Sequence, residues 1–291
     1  MERDLIQDDP LGNKSNNPEP WGKSMSIFNN RNKKKAIIGM VHLAPMPGTP
    51  FYIEGSYQQT LDRAVADATA LYRGGTTGCL VQTIDKVYPT KDKADPARVA
   101  AVANIVHEIA KATGPDFQIG VQILRNAIKA SLAVAQVSGG SFLRCGALVG
   151  ATLTNDGLME ANPLTVMQYR KRLNAMNIKL IAEINSMHFK ALDGTPTVEL
   201  AKSAMDVGAD AVSIGSPDEA LTVAMIGDIR AALPHAPIFL AGYTNHDNAR
   251  RMLALADGAF VGSCLEEGSW GSAVDENRVH AYMAQVNAAG E

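Results

Sequence analysis

The sequence has few cysteines, few aromatic residues and no long hydrophobic run, and each shortage excludes a class of protein. Its three cysteines, Cys79, Cys145 and Cys264, are an odd number without a C-x-x-C pair. This excludes a disulfide framework and a zinc cluster. A reducing compartment suits such a chain, and we expect it to be cytoplasmic. No stretch reaches the roughly 18 consecutive apolar residues that a membrane-spanning helix needs, so we expect no transmembrane segment.

The chain also lacks an excess of positive charge. Its 27 Lys and Arg residues and 30 Asp and Glu residues leave a net charge of −3 at pH 7. Without a basic field, nucleic-acid binding is not expected. Hydrophobic residues make up 46% of the chain and aromatic residues only 5%, a composition that supports a buried core. The 291 residues fit one large α/β domain or two small ones.

Residues 1–35 differ in composition from the rest of the chain. They are rich in Asn, Pro, Lys, Gly and Ser and end in a basic run at 31–35. Because they offer few apolar side chains to bury, we predict a flexible N-terminal extension. The basic run is either part of a solvated tail or a contact for a protein partner.

From residue 36 to residue 291, short apolar runs alternate with helical segments. Prolines after Asp, Asn or Ser indicate helix starts, and glycines before the apolar runs indicate helix ends. The predicted strands cover 36–41, 78–83, 117–122, 141–145, 178–183, 210–214, 237–241 and 258–261. Eight βα units without a second-domain boundary predict a single (β/α)8 TIM barrel of the α/β class, with a doubly wound sheet as the alternative.

Four ionisable side chains follow the carboxyl ends of predicted strands, where (β/α)8 barrels carry their chemistry. His42 ends the first strand, Asp85 follows the second, and Glu183 and His188 lie at the end of the fifth. We predict acid/base catalysis by these residues. Alternation along the strand directs Asn185 to the same side as Glu183, as a ligand for substrate. Together with the histidines they form a polar cluster or a divalent-metal site, and no other cofactor is implied.

Residues after the third and fourth predicted strands are suited to binding a substrate. Arg125 and Asn126 offer several donors in a plane, which match a carboxylate, a phosphate or sugar hydroxyls, or they cap the following helix. The segment 146–161 is longer than a typical βα connection and contains Asp156. We therefore predict a lid there that carries a substrate-binding residue.

Arg144 places a charge inside an apolar barrel strand. Its neighbours in the sequence are Leu143 and Cys145. A buried charge is costly unless it is paired, so we predict an ion pair with Glu183 on the adjacent strand. At this position Arg144 is also a candidate for binding substrate.

Small residues end the last two predicted strands. Gly242 follows the seventh strand, and Gly262 and Ser263 follow the eighth. Backbone N–H groups at such positions, ahead of a helix start, bind phosphate in many barrels. We predict a phosphate-binding site at these three residues, with simple turn chemistry as the alternative.

Four segments of the sequence resemble the BtpA/SgcQ family. They lie at 37–48, 120–126, 142–157 and 256–263, in order along the chain from about residue 36 onwards. The resemblance implies a (β/α)8 barrel of the phosphate-binding kind. It also implies a role in photosystem I biogenesis, from which the family is named, or in sugar utilisation, since other members look like parts of such gene clusters.

The sequence departs from the family pattern at several strand ends. Gln82-Thr83 stands where the family usually has Glu-Asn, Ala127 where it has Asp, and Glu183-Ile184-Asn185 where it has Asp-Val-His. After the last strand, Leu265-Glu266-Glu267-Gly268 replaces Lys-Lys-Asp-Gly. We expect the acidic pair Glu266 and Glu267 to be exposed and to weaken anion binding nearby.

Two functions follow from these features. The first is an enzyme, an isomerase, lyase or hydrolase, that acts on a small phosphorylated sugar-like metabolite by acid/base chemistry at the barrel mouth. The alternative is a non-catalytic assembly or biogenesis factor for a membrane protein complex such as a photosystem, which binds a protein through the N-terminal tail and a barrel face. We expect a homo-oligomer in either case.

Overall fold

The computed structural model describes residues 27–28 and 35–288. Within these residues the chain forms ten strands: β1 Ala36–Leu43, β2 Gly78–Thr83, β3 Gln118–Gln122, β4 Phe142–Cys145, β5 Ala151–Thr154, β6 Gly157–Glu160, β7 Lys179–Asn185, β8 Ala211–Ile214, β9 Ile238–Leu240 and β10 Gly258–Val261. The helices are α1 Tyr57–Arg73, α2 Pro96–Ala112, α3 Ile128–Ser138, α4 Pro163–Arg172, α5 Thr197–Asp206, α6 Glu219–Ala232, α7 Ala249–Leu255 and α8 Glu276–Ala288. A 3₁₀ turn covers Ser263–Leu265.

Eight of the strands in the described part of the chain close into a parallel barrel. Their order around the barrel is β1–β10–β9–β8–β7–β4–β3–β2, and each is followed along the chain by one of the helices. The predicted strands agree with the observed ones to within two residues at each end. The predicted single (β/α)8 barrel of the α/β class is therefore confirmed.

Two helices begin at the capping residues that the sequence indicates. The Asp95 carboxylate accepts the backbone N–H of Ala97 at 2.8 Å ahead of α2, and Asn162 accepts that of Thr165 at 3.2 Å ahead of α4. Proline occupies the first turn in both helices, where a missing N–H costs nothing. These caps end the loops above the barrel and fix where the helices start.

The long segment that was predicted as a lid forms an antiparallel hairpin of β5 and β6. Thr152 and Met159 pair across it and are buried, whereas Leu153 and Leu158 pair on the outer face and are exposed. The Lys190 N–H donates to the Thr152 hydroxyl at 3.1 Å, which joins the hairpin to the segment after β7. The segment is an ordered hairpin rather than an irregular loop, and its role as a lid stays a prediction.

The lower part of the barrel interior is apolar. Because side chains alternate along a strand, one apolar cluster points inward, consisting of Ala36, Ile38, Met40, Leu80, Phe142, Ile181, Ala211, Phe239 and Phe260. Phe28 belongs to the same cluster and is 3% exposed. Its ring centroid lies 5.2 Å from that of Phe142 and 6.4 Å from that of Phe239. Phe28 therefore packs against the interior of the barrel from the chain that precedes β1.

The predicted extension falls largely on residues 1–26 and 29–34, which lie outside the described residues. Phe28 belongs to the same segment, and its burial provides an apolar anchor that the composition of residues 1–35 did not indicate. The flexibility of the extension and its contact with a protein partner stay predictions. No helix in residues 27–28 and 35–288 has the length and hydropathy to cross a membrane.

Candidate active site at the carboxyl ends of the strands

A polar layer lies above the apolar cluster inside the barrel. On each strand its members lie two residues beyond an apolar one, because the strand period is two: His42 on β1, Gln82 on β2, Arg144 on β4, Glu183 on β7 and Ser213 on β8. Four buried atoms of the layer have no hydrogen-bond partner among the described residues, namely His42 Nδ1, Arg144 Nε, Glu183 Oε2 and Ser213 Oγ. Buried polar atoms are almost always paired, so this concentration makes the layer a candidate functional site.

The predicted ion pair between Arg144 and Glu183 is present at the centre of this layer. An Arg144 guanidinium nitrogen lies 2.6 Å from Glu183 Oε1, and the two side chains are 5% and 1% exposed. The Ser186 hydroxyl donates to the same carboxylate oxygen. The guanidinium also lies 4.9 Å from the centroid of the Phe260 ring. One carboxylate oxygen is thus held by two donors, while the other has a free lone pair inside the barrel.

His42 is paired with a carboxylate that the sequence analysis placed in solvent. Its Nδ1 lies 3.4 Å from Glu266 Oε1, close enough for an ion pair but without hydrogen-bond geometry. Glu266 is 2% exposed, and its other oxygen accepts the Gly271 N–H at 2.8 Å. The expectation that Glu266 is an exposed repulsive anion is therefore wrong. The Trp270 ring also packs on His42, with centroids 5.0 Å apart.

His188 lies in the electrostatic field of the same groups. Burial lowers its pKa from the ordinary value, and the negative charge of Glu183 opposes this shift, while the positive charges of Arg144, Arg125 and His42 add to it. The charges of Glu183 and His42 thus act on His188, and the predicted acid/base role of these three residues stays a prediction. Within residues 27–28 and 35–288, no group of three or more His, Cys, Asp or Glu side chains is arranged to hold a metal ion.

Asp85 lies in a separate cluster, next to α2. Its Oδ1 accepts the Lys86 N–H at 2.8 Å, and its Oδ2 is buried without a hydrogen-bond partner in the described part of the chain. Burial lowers the pKa of Arg98, and the charge of Asp85 opposes that shift. Arg98 donates to the Leu124 carbonyl at 3.1 Å and to the Thr83 hydroxyl at 2.6 Å. The structure therefore brings Asp85 to Arg98 rather than to Glu183.

Arg125 is held in place by the β5–β6 hairpin. Its Nε donates to Asp156 Oδ2 at 2.7 Å, and its guanidinium lies 4.6 Å from the centroid of the Tyr88 ring. The other Asp156 oxygen accepts the Tyr88 N–H at 3.2 Å. Asp156 and Arg125 thus bind each other, and among the residues that the structure describes the two terminal guanidinium nitrogens have no acceptor.

Asn126 points away from Arg125, although the two are adjacent in the sequence. Its side-chain oxygen accepts the Ala147 N–H at 3.0 Å, and its amide donates to the Glu160 carbonyl at 3.4 Å. It lines a cavity of about 400 Å³ outside the barrel, between the hairpin, α3 and α4. Asn126 therefore fastens the hairpin, and a direct contact with substrate at the barrel mouth stays a prediction.

Asn185 does not continue the alternation that was expected of it. The pairing of β7 with β8 is interrupted between Glu183 and Asn185. The Asn185 amide donates to the Thr197 hydroxyl at the start of α5, at 2.8 Å. The expected common direction of Glu183 and Asn185 is therefore lost, because an irregular residue in a strand changes the side to which later residues point.

The residues predicted to bind phosphate follow β9 and β10. Gly242 adopts a φ of +105°, a backbone conformation that favours glycine, and turns the chain after β9. A side chain at Gly262 would lie 3.4 Å from Met40 Cγ and 3.7 Å from His42 Cε1, so the end of β10 lies beside His42. Ser263 begins a 3₁₀ turn, whose first N–H groups have no partner within the turn.

Comparison with known sequences identifies the family of this chain. The profile of the BtpA family matches residues 33–288. The chain belongs to the BtpA family. It is 30% identical to the photosystem I biogenesis protein BtpA of Synechocystis sp. over 271 residues, which cover 89% of this chain and 90% of that protein. The match includes all ten strands and all eight helices of the described region, so the BtpA family resemblance noted in the sequence is confirmed.

Two solved structures illustrate the similarity of this BtpA-family chain to known barrels. The thiamine phosphate pyrophosphorylase of Pyrococcus furiosus has a TM-score of 0.54 at 17% identity, covering 89% of this chain and 99% of that one. The N-(5'-phosphoribosyl)anthranilate isomerase of Pyrococcus furiosus has a TM-score of 0.52 at 11% identity, covering 87% and 99%. At such identities the similarity establishes the fold alone.

Several residues at the mouth of this BtpA-family barrel were not predicted as site residues. The Gln82 amide donates to the Gln122 side-chain oxygen at 2.7 Å within the polar layer. Both residues occupy inward positions on adjacent strands, so the alternation of side chains along the two strands was enough to predict this pair. Arg98 lies on a helix, where a buried arginine has no distinctive pattern. Glu266 and Trp270 come from the segment after β10, and their approach to His42 depends on the closed barrel.

Proposed function

We propose that this chain is an enzyme that performs acid/base chemistry on a small phosphorylated sugar-like metabolite at the carboxyl end of its barrel. The observation that carries the proposal is the set of buried atoms at His42, Arg144, Glu183 and Ser213 that have no hydrogen-bond partner among the described residues. An unpaired buried polar atom costs about 1–3 kcal/mol. A ligand rich in hydroxyl groups would supply the missing hydrogen-bond partners. Binding such a ligand is a reason for the protein to keep these polar side chains despite their cost in stability.

Glu183 and the two histidines divide the proton transfers. Glu183 Oε1 is held by Arg144 and Ser186, so Oε2 is the atom that accepts a proton from substrate. His188 has a lowered pKa because of burial and is neutral near pH 7, which suits an acceptor or a relay. His42, oriented by Glu266, is the partner that returns the proton. Isomerisation, aldol cleavage and hydrolysis all use such a set.

The phosphate is assigned to the ends of β9 and β10. Two similar barrels are named for phosphorylated compounds, thiamine phosphate and phosphoribosylanthranilate. Gly242, Gly262 and Ser263 combine small side chains with backbone donors, and Gly262 lies beside His42. Arg125, with its terminal nitrogens free to donate, is assigned to a second acceptor on the substrate.

Binding of inorganic phosphate tests the proposal. Millimolar phosphate should raise the melting temperature of the protein by binding the native state. Gly262→Asp should abolish that rise and still fold, since a side chain there meets its neighbours at ordinary contact distances. Gly227→Asp adds the same charge on the exposed face of α6 and should keep the rise. Equal stabilisation of all three proteins would mean salt exclusion from the surface and would remove the phosphate site.

An assembly factor is the second candidate, because the relative from Synechocystis is named for photosystem I biogenesis. The exposed Leu153 and Leu158 pair on the hairpin offers a protein contact. A Synechocystis strain that lacks the relative separates the two functions. If assembly is the role, this chain and its Glu183→Gln variant should restore photosystem I equally. If catalysis is required, only the unaltered chain should do so.

A further inference from the structure

The segment after β10 forms a closed loop with a tryptophan near its tip. We call residues 266–275 the Trp270 loop. Glu266 and Val274 pair as an antiparallel bridge, the Glu267 N–H donates to the Ala273 carbonyl at 2.8 Å, and Ser272 donates to Ser269 at 3.0 Å. These hydrogen bonds make the loop a small ordered unit rather than an irregular connection to α8.

Two buried carboxylates hold the Trp270 loop in place. Glu266, at the start of the loop, is 2% exposed, and one of its oxygens accepts the Gly271 N–H at 2.8 Å while the other lies 3.4 Å from His42 Nδ1 on β1. Asp67, on α1, is 5% exposed and accepts the Val274 N–H at 2.9 Å. Arg63 binds Asp67 at 2.8 Å from the neighbouring turn of the same helix. The backbone on both sides of Trp270 is therefore fixed before any ligand binds, which lowers the entropic cost of binding.

Trp270 itself remains 60% exposed, although it packs on His42 at a centroid distance of 5.0 Å. A single exposed apolar side chain is ordinary on a protein surface. Trp270 differs from that case because its loop is anchored by buried carboxylates and because its indole lies against a candidate catalytic histidine. The exposed part of the indole is therefore available beside His42, one of the residues that we assign to proton transfer.

We propose that Trp270 is a stacking platform for the ring of a cyclic sugar phosphate, so that the substrate enters the site in its ring form. The face of an aromatic ring carries a partial negative charge, which attracts the C–H bonds on one face of a sugar ring. A hydroxyl group both donates and accepts, so the hydroxyls of the same ring offer the kinds of partner that Arg144 Nε, Glu183 Oε2 and Ser213 Oγ lack among the described residues. This inference rests on the proposed function, whose substrate class it narrows.

Tryptophan fluorescence tests the platform directly. The chain contains two tryptophans, Trp21 and Trp270, so a Trp21→Phe background reports on Trp270 alone. The probes are glucose 6-phosphate, which is cyclic, and sorbitol 6-phosphate, which has the same carbons and phosphate in an open chain. Glucose 6-phosphate should change the emission and bind about five- to tenfold more tightly than sorbitol 6-phosphate.

Variants separate the platform from the phosphate site. Trp270→Leu lacks the fluorescent reporter, so its affinities are measured by calorimetry; it should lose the preference for the cyclic probe while inorganic phosphate still raises the melting temperature. Tyr72→Leu, at an exposed aromatic of α1, should keep the preference. Equal affinity for the two probes, or no change in Trp270 emission while the phosphate effect persists, would overturn the platform. Loss of the phosphate effect as well would instead refute the proposed function.

Discussion

The two ends of the barrel interior are built on different principles. At the lower end, Phe28, Phe142, Phe239 and Phe260 form an aromatic cluster without polar atoms. At the upper end, inward positions on β1, β2, β4, β7 and β8 carry charged, amide and hydroxyl side chains, four of whose buried atoms have no hydrogen-bond partner in the part of the chain that the structure describes. The lower end is arranged for stability alone, whereas the upper end keeps polar groups that a stable core does not need.

The two ends meet at Phe260. Its ring lies 5.7 Å from that of Phe239 below and 4.9 Å from the Arg144 guanidinium above. Phe239 in turn contacts Phe28. The apolar cluster thus forms the floor on which the ion pair of Arg144 and Glu183 is positioned, so substitutions at the two ends should affect stability in different ways.

The largest effect is expected at the upper end, from removal of one partner of the buried ion pair. Arg144→Met should lower the free energy of unfolding by about 3–5 kcal/mol, because Glu183 is left buried without its cation. The double variant Arg144→Met with Glu183→Gln should lose much less, since no buried charge remains. Urea unfolding measures both. Additive losses in this cycle would show that the two residues do not interact.

The next effect is expected at the lower end. Phe28→Ala should lower the free energy of unfolding by about 3 kcal/mol, because the ring is 3% exposed and its removal opens a cavity beside Phe142 and Phe239. Phe51→Ala, at a ring that is 39% exposed, is the control and should cost far less. If Phe28→Ala unfolds like the unaltered protein, the anchor does not form in solution, and residues 1–35 are a tail as the composition suggests.

The sequence predicted the lower end and the walls of the barrel better than the mouth. Strands are local, apolar and bounded by glycine and proline, so their positions follow from pattern alone. The pair of Arg144 and Glu183 was also predictable, because a charge inside an apolar strand requires a partner. The burial of Phe28 was not predictable, since one aromatic residue in a polar segment gives no pattern that indicates what it contacts.

The missed features of the mouth depend on tertiary structure. Glu266 stands next to Glu267 and Gly268, a context typical of a solvated turn, yet closure of β10 against β1 buries it beside His42. Asn185 was placed by strict alternation, which a single irregularity in β7 was enough to break. The alternation of side chains along one strand indicates neither which distant strands pair to close the barrel nor where a strand is irregular.

A smaller loss of stability should result from replacing an amide of the polar layer with an apolar side chain like those of the cluster below it. Gln82→Leu should lower the free energy of unfolding by about 1–3 kcal/mol, because the buried Gln122 amide loses its partner. Adding Gln122→Leu should recover most of that loss, since replacing both partners leaves no polar group unpaired. Urea unfolding of the three variants tests this. A double variant that is less stable than either single one would mean that the amides have other essential partners.

The smallest effect is expected from pH, which acts on the upper end because the aromatic cluster below does not titrate. Burial lowers the pKa of His188 from its ordinary value of 6.5, so the folded state holds this ring neutral at pH values where the unfolded chain binds a proton. Stability should therefore fall as the pH drops below about 6.5. His188→Gln should flatten this dependence, and His235→Gln, at an exposed position, should leave it unchanged. Urea unfolding between about pH 7.5 and 5.5 measures the slopes. An undiminished slope in His188→Gln would assign the acid sensitivity to another group and would weaken the role of His188 as a neutral proton acceptor.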